Sequence, residues 1–146
     1  MQSSSPVERA DRISRRRARL LPVLGILFIA GQPLYFANIG YRLANLRAAA
    51  WLAWALVLLA ALAFAGGRFA GAAVRDMVED EVSRSNRLRA YATGFWAASL
   101  CTVTLFAFSL FDNLKAQESL HIILTAGIGA ALLRFGALER RALADG

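Results

Sequence analysis

Long uncharged runs alternate with short charged segments along this chain. Residues 20–41, 48–67 and 90–111 are uncharged, and each run reaches the about 20 residues that an α-helix needs to cross the hydrocarbon core of a bilayer. A fourth uncharged run starts at Ser119 and meets Arg134, whose long side chain can reach the membrane surface while the helix continues to Leu138. The pattern predicts an all-α integral membrane protein with four spans, the last at about residues 119–138.

Little of the chain lies outside these runs. Residues 1–19 form an arginine-rich tail, and residues 68–89 connect the second and third spans. Apolar residues make up 58% of the chain, more than the roughly 45–50% of soluble domains. Because short connections join antiparallel neighbours, we predict a single membrane domain over residues 1–146, built as an up-down four-helix bundle.

The basic residues are distributed unevenly between the two sides that four spans define. Fourteen of the 17 Lys and Arg residues lie in the tail, in the 68–89 connection or on the C-terminal side, and three lie in the other two loops. The positive-inside rule places both termini and the 68–89 connection in the cytoplasm. Membrane insertion thus accounts for the net charge of +7, and nucleic acid is not a predicted partner. The preference for Arg over Lys, with abundant Ala, is typical of GC-rich bacterial genes and favours a bacterial inner membrane.

Arginines next to the spans are predicted to contact lipid headgroups. Each basic residue at this position contributes about 1 kcal/mol of attraction to an anionic membrane surface. The predicted headgroup contacts are Arg15, Arg16, Arg17, Arg84, Arg87 and Arg89. The lipid bilayer is therefore the first predicted partner.

The connection between the second and third spans has an acidic half followed by a basic half. In a helix, its apolar residues fall on one face at spacings of three and four. They are Val74, Met77, Val78 and Val82. One interpretation is a solvated connector whose basic end sets the topology; the other is a docking face for a helix of a cytosolic protein.

Part of this connection also carries a family resemblance. The segment EDEVSRSNRLRAYATGFW, beginning at Glu79, has an acidic pair followed by Arg and Asn before an apolar span. It resembles uncharacterised small bacterial polytopic membrane proteins with the same arrangement. The resemblance covers about a tenth of the chain and implies a cytosolic partner such as a transcription regulator, but no functional residues.

The first predicted span contains a polar residue beside a proline. Gln32 precedes Pro33, and a proline inside a helix frees the carbonyl four residues earlier and bends the helix. Two interpretations remain open for Gln32: an intramembrane polar site, or a hydrogen bond to a neighbouring helix.

The fourth predicted span is rich in small residues at a spacing of four. Gly127 and Ala131 form one such pair, and Thr125 and Gly129 form another. Small residues at this spacing let a second helix backbone approach closely. The pattern predicts either the packing seam of the bundle or the face of a homo-oligomer.

The sequence contains no recognisable set of catalytic residues. His121 is the only histidine and Cys101 the only cysteine, so neither a nucleophile with its base nor a histidine-rich metal site is predicted. Asp112, Glu118 and His121 are either helix-end residues, which we favour, or weak ligands of a hydrated cation. We predict no catalytic, cofactor or metal site.

Two functions follow from these patterns. The first is a noncatalytic membrane protein that binds a cytosolic partner or regulator through the 68–89 connection. The alternative is a small transporter or transporter subunit. The size class is that of small multidrug exporters, but the first three spans lack the membrane-embedded carboxylate on which those proteins rely, which argues against proton exchange of that kind.

Overall fold

The computed structural model describes residues 6–33, 44–64 and 81–144, and these residues form four α-helices. The helices are α1 (Pro6–Ala30), α2 (Ala44–Ala63), α3 (Glu81–Ser109) and α4 (Ala116–Ala144). No strand occurs within the described residues. The all-α prediction is confirmed for this part of the chain.

Three of the four helices are long and apolar enough to cross a membrane. The spans lie at Leu46–Ala63 in α2, within Glu81–Ser109 in α3 and at Ala116–Ala142 in α4. The apolar part of α1 is shorter, at Ala18–Ala30, and residues 34–43, which the first predicted span includes in part, lie outside the described residues. The length and composition of the three helices indicate a membrane protein.

Two charged segments that border predicted spans are continuous with the helices that follow them. Helix α1 begins at Pro6, so most of the arginine-rich tail is helical and leads directly into the apolar residues. Helix α3 begins at Glu81, so the basic half of the 68–89 connection forms its first turns. Glu81 in the first turn of α3 also compensates the positive N-terminal end of the helix dipole.

Helix α4 is the centre of the fold and packs extensively against α1 and α3, with a smaller contact to α2. Against α1, the start of one helix meets the end of the other: Pro22 contacts Gly136, and Gln32 contacts His121. The two helices are therefore antiparallel.

Helix α3 is also antiparallel to α4. Asn86 near the start of α3 reaches Glu139 near the end of α4, and Gly94 lies against Gly127. Since α1 and α3 both run antiparallel to α4, the starts of α1 and α3 and the end of α4 lie at one end of the molecule. We call this the arginine end, because the described arginines there are Arg15, Arg16, Arg19, Arg84, Arg87, Arg89, Arg140 and Arg141.

The core lies where α1, α2 and α4 meet. Its largest fully buried side chains are Phe28, Phe135, Leu58, Leu62 and Leu132. On α2, burial recurs at a spacing of three and four, which gives this helix one inward stripe.

The outer surface of α3 is apolar along most of its length. Phe95, Leu100, Val103 and Phe106 are each about two-thirds exposed, and only 6% of the residues in its most apolar window are buried. A continuous apolar surface of this kind is rare in soluble monomers. It suits a helix whose outer face contacts lipid.

Candidate functional site

A buried polar cluster joins α1 to α4 at the end opposite the arginine end. Gln32, which follows the turn at Gly31, places its Oε1 2.5 Å from Nε2 of His121. Because an amide oxygen can only accept, the imidazole Nε2–H is the donor in this bond. Thr125 Oγ1 lies 3.3 Å from the same Gln32 oxygen. We call Gln32, His121 and Thr125 the amide–imidazole cluster.

The remaining hydrogen bonds of this cluster hold its side chains in place. The Gln32 amide nitrogen donates to the carbonyl of Phe28, one turn earlier on α1. The Thr125 hydroxyl donates to the His121 carbonyl at 2.8 Å. His121 is only 3% exposed, whereas Gln32 is half-buried, so the imidazole depends on protein groups rather than on water for its hydrogen bonds.

Helix α2 adds an aromatic wall to the cluster. The ring centroid of Trp51 lies 4.2 Å from that of His121, and Trp51 also stacks on Phe28 at 6.1 Å. Aromatic pairs at such separations contribute about 0.5–1.5 kcal/mol beyond their buried area. His121 is therefore the point at which α1, α2 and α4 are joined.

Small residues of α4 allow α1 to come close enough for these bonds. A Cβ at Gly136 would lie 2.5 Å from Cδ of Pro22, and one at Gly129 would lie 2.8 Å from Cδ1 of Ile29. At Gly136 only a residue without a side chain fits while α1 stays in place, because the proline ring is fixed to the backbone, whereas at Gly129 the end of the Ile29 side chain would have to move. This close approach brings Gln32 within reach of His121.

A second buried polar pair lies near the arginine end, between α3 and α4. Nδ2 of Asn86 donates to Oε1 of Glu139 at 3.3 Å, and both residues are almost fully buried. Sequence reasoning missed Glu139. The signal was available, because Ile128, Leu132, Phe135 and Glu139 follow one another at spacings of three and four on the inward face of α4.

The predicted small-residue motif of α4 is divided between two interfaces. Gly127 and Ala131 face α3, where a Cβ at Gly94 would lie 2.7 Å from the Gly127 carbonyl oxygen and 2.9 Å from Cβ of Ala131. Gly129 faces Ile29 of α1. All three therefore pack inside the chain. Gly94 was not identified from the sequence.

The outer-end cation site considered from sequence is not assembled. Glu118 forms an exposed ion pair with Lys115 at 3.4 Å, whereas His121 is buried against Gln32. Within residues 6–33, 44–64 and 81–144, no three His, Cys, Asp or Glu residues are grouped as metal ligands.

The structure describes one of the four residues of the predicted docking face. Val82 lies in the first turn of α3 and is 52% exposed, while Val74, Met77 and Val78 lie outside the described residues.

The predicted headgroup arginines are mostly accessible. Arg15, Arg16, Arg84 and Arg89 are exposed and Arg87 is half-buried. Arg17 belongs to α1, and its side chain is outside the described part of the structure.

No protein-family model, curated protein or solved structure matches this chain. The function is therefore inferred from the chain's own residues. The features available for this are the amide–imidazole cluster, the Asn86–Glu139 pair and the arginine end.

Proposed function

We propose that the chain is a noncatalytic protein of the bacterial inner membrane, with four spans and both termini in the cytoplasm, that binds a cytosolic protein through the 68–89 connection, which leads into the arginine end. The observation that carries this proposal is the collection of arginines at the starts of α1 and α3 and the end of α4. In a membrane protein such an end faces the cytoplasm. The apolar outer surface of α3 supports the membrane placement.

The orientation is tested with a reporter enzyme that is active only outside the cytoplasm. Fused after Lys115 it should be active, and fused after Glu79 or Gly146 it should be inactive. The opposite pattern would overturn the orientation and, with it, the cytoplasmic position of the arginine end.

The binding of a cytosolic protein rests on Val82. This side chain is exposed although it is apolar, and it continues the stripe that the sequence predicts at Val74, Met77 and Val78. Arg89, seven residues later, is exposed on the same side of the helix and supplies charge beside this surface. An apolar stripe bordered by charge is the usual form of a helix-docking surface.

Photo-crosslinking tests this docking surface with a matched pair of valines. A photoreactive amino acid replaces Val82 in one variant and Val103 in the other; Val103 is 66% exposed on the same helix but lies in its membrane-spanning part. We expect one protein adduct of constant mass at position 82 and none at 103. The adduct component, once purified, should bind the wild-type chain saturably and bind V82E at least tenfold more weakly. Equal adducts at both positions, or none, would contradict partner binding.

The buried polar groups support a noncatalytic role. Gln32 bonds to His121, and Asn86 bonds to Glu139, so these groups serve as hydrogen-bond partners for one another across helix interfaces. Such interhelical bonds are a common structural use of polar residues in membrane proteins.

A second candidate function, transport, is favoured by one observation. His121 is a titratable residue buried within the apolar span of α4, and buried titratable residues in spans frequently mark ion or proton pathways. In proteoliposomes containing a pH-sensitive dye, proton flux should then fall at least tenfold in Q32L and H121F and stay unchanged in T104V. Absence of flux in the wild type, or unchanged flux in Q32L, would remove this candidate.

A further inference from the structure

An open pocket lies between α1 and α4 at the arginine end. It is lined by Arg15, Ala18, Arg19, Arg140 and Ala144, and its volume is about 530 Å³. This is far larger than the about 30 Å³ that one water molecule occupies in the liquid. A hydrated anionic group therefore fits between the two helices.

One of the three arginines is held in place by the opposite helix. Nε of Arg140 donates to the backbone carbonyl of Ala18 at 3.0 Å. This bond fixes the guanidinium of an α4 residue beside α1, next to Arg19. Three guanidinium groups from two helices thus share one pocket, and planar guanidinium groups bind phosphate oxygens through paired hydrogen bonds.

The described residues that line the pocket include no acidic side chain. They are arginines and alanines. The adjacent residue Glu139 faces α3, where its carboxylate accepts a hydrogen bond from Asn86. The acid thus lies on one side of α4, and Arg140 reaches α1 on the other.

The position of the pocket along the helices indicates the source of the anion. The apolar part of α1 begins at Ala18, and in α4 the charged residues Glu139, Arg140 and Arg141 follow directly after Leu138. The pocket therefore lies where both helices change from apolar to charged, which is the level of lipid headgroups in a bilayer. A free phosphate would enter from water, whereas a lipid phosphate is already present at this level.

We propose that the pocket formed by Arg15, Arg19 and Arg140 binds the phosphodiester headgroup of an anionic membrane lipid. The site would hold one lipid against the α1–α4 interface at the cytoplasmic surface. It rests on the membrane placement proposed above but not on the binding of a cytosolic protein.

Native mass spectrometry of the full chain in detergent tests this site. The probes are phosphatidylglycerol and phosphatidylcholine with identical acyl chains. We expect one phosphatidylglycerol molecule to remain bound at concentrations where phosphatidylcholine does not. The double variant R15Q/R19Q should bind it roughly 25-fold more weakly, since each basic residue at a membrane surface contributes about fivefold in affinity.

A control variant separates the pocket from general surface charge. R134Q/R141Q removes the same number of charges from exposed positions of α4 that do not line the pocket. It should bind phosphatidylglycerol within about twofold of the wild type, because the pocket keeps its three arginines. The single variant R19Q, expected at about fivefold weaker binding, replaces R15Q/R19Q if the double variant does not fold.

Three results would overturn the proposal. Equal losses in R15Q/R19Q and R134Q/R141Q would indicate diffuse attraction to the surface. Equal binding of the two lipids would show that the headgroup is not recognised. Saturable binding of inorganic phosphate, with no preference for phosphatidylglycerol, would identify free phosphate as the ligand. The reporter fusions after Lys115 and Gly146 test the membrane orientation separately, so a failed lipid site is distinguishable from a wrong topology.

Discussion

The two faces of α4 achieve close packing in similar ways but use different polar groups. Toward α1, Gly129 and Gly136 admit Ile29 and Pro22, and the polar contact is the amide–imidazole cluster at the far end. Toward α3, Gly127 admits Gly94, and the polar contact is the Asn86–Glu139 pair near the arginine end. Each interface therefore combines a glycine contact with one polar bond, and the two polar bonds lie at opposite ends of α4.

The difference lies in how well each polar contact is supported. His121 bonds to Gln32, lies against the tilted ring of Trp51 and has Thr125 beside it, so three helices contribute to the cluster. Glu139 accepts the described bond from Asn86 alone. Removing one partner from a buried carboxylate costs more than removing one member of a neutral cluster. The α3 face should therefore be the more sensitive of the two.

The largest effect is expected from G94V. The added side chain would overlap the Gly127 carbonyl oxygen and Cβ of Ala131, and a backbone atom cannot move aside without separating α3 from α4. Overpacking of this kind costs about 1–3 kcal/mol, and more where backbone must shift. We expect a value at or above the upper end, measured as the free energy of unfolding during detergent titration in mixed micelles.

A92V is the control for this variant. Ala92 lies two residues before Gly94 and is exposed, so a valine there tests the cost of a β-branched residue in this helix without the contact to α4. It should change the free energy of unfolding by about 0.5 kcal/mol or less. Equal effects of G94V and A92V would show that the close contact of α3 with α4 does not determine stability.

The second largest effect is expected from N86L. This substitution leaves the Glu139 carboxylate without its Asn86 donor, and a hydrogen bond to a charged group contributes about 1.5–3 kcal/mol. The same unfolding titration measures it. The double variant N86L/E139L should recover part of the loss, because both buried polar groups are then removed together. If the free-energy losses of N86L and E139L simply added up in the double variant, the two side chains would not interact.

A smaller effect is expected from Q32L on the α1 face. Interhelical hydrogen bonds in membrane proteins average about 0.6 kcal/mol and reach about 1.7 kcal/mol, and His121 keeps its contact with Trp51 when Gln32 is replaced. We expect a loss of about 1 kcal/mol in the unfolding titration, near the middle of that range. If Q32L destabilised the chain more than N86L, the ranking of the two faces would be reversed.

The smallest effect is expected from T104V on the outer surface of α3. The Thr104 hydroxyl donates to the carbonyl of Leu100 within its own helix at 2.9 Å and is exposed. Its loss breaks no contact between helices, so the change should lie within about 0.5 kcal/mol. A larger loss would place an unrecognised interface on this surface.

Much of the helical structure could be predicted from the pattern of charged and apolar residues. The uncharged run at 90–111 lies almost entirely within α3, and the predicted fourth span at 119–138 lies within α4. The ends of the helices were less predictable. The charged first turns of α3 and most of the arginine-rich tail are helical, because a helix can continue from water into a membrane when its polar residues remain at the surface.

The candidate sites were only partly predictable. Gln32 was identified because an amide beside a proline is unusual in an apolar run, and its partner across the interface proved to be His121. Glu139 was not identified from the sequence. Its burial depends on Asn86, more than 50 residues earlier.

The sequence by itself determined which segments are helical and apolar, and which end of them is rich in arginine, because these properties depend on residues that are close together in the chain. Only the tertiary structure decided that α4 is central, that its small residues serve two interfaces, and that Arg140 shares a pocket with Arg15 and Arg19. These features require contacts between distant residues. In an apolar environment many helix pairings bury similar surfaces, and the choice among them is made by the local fit of glycines and the pairing of a few polar groups.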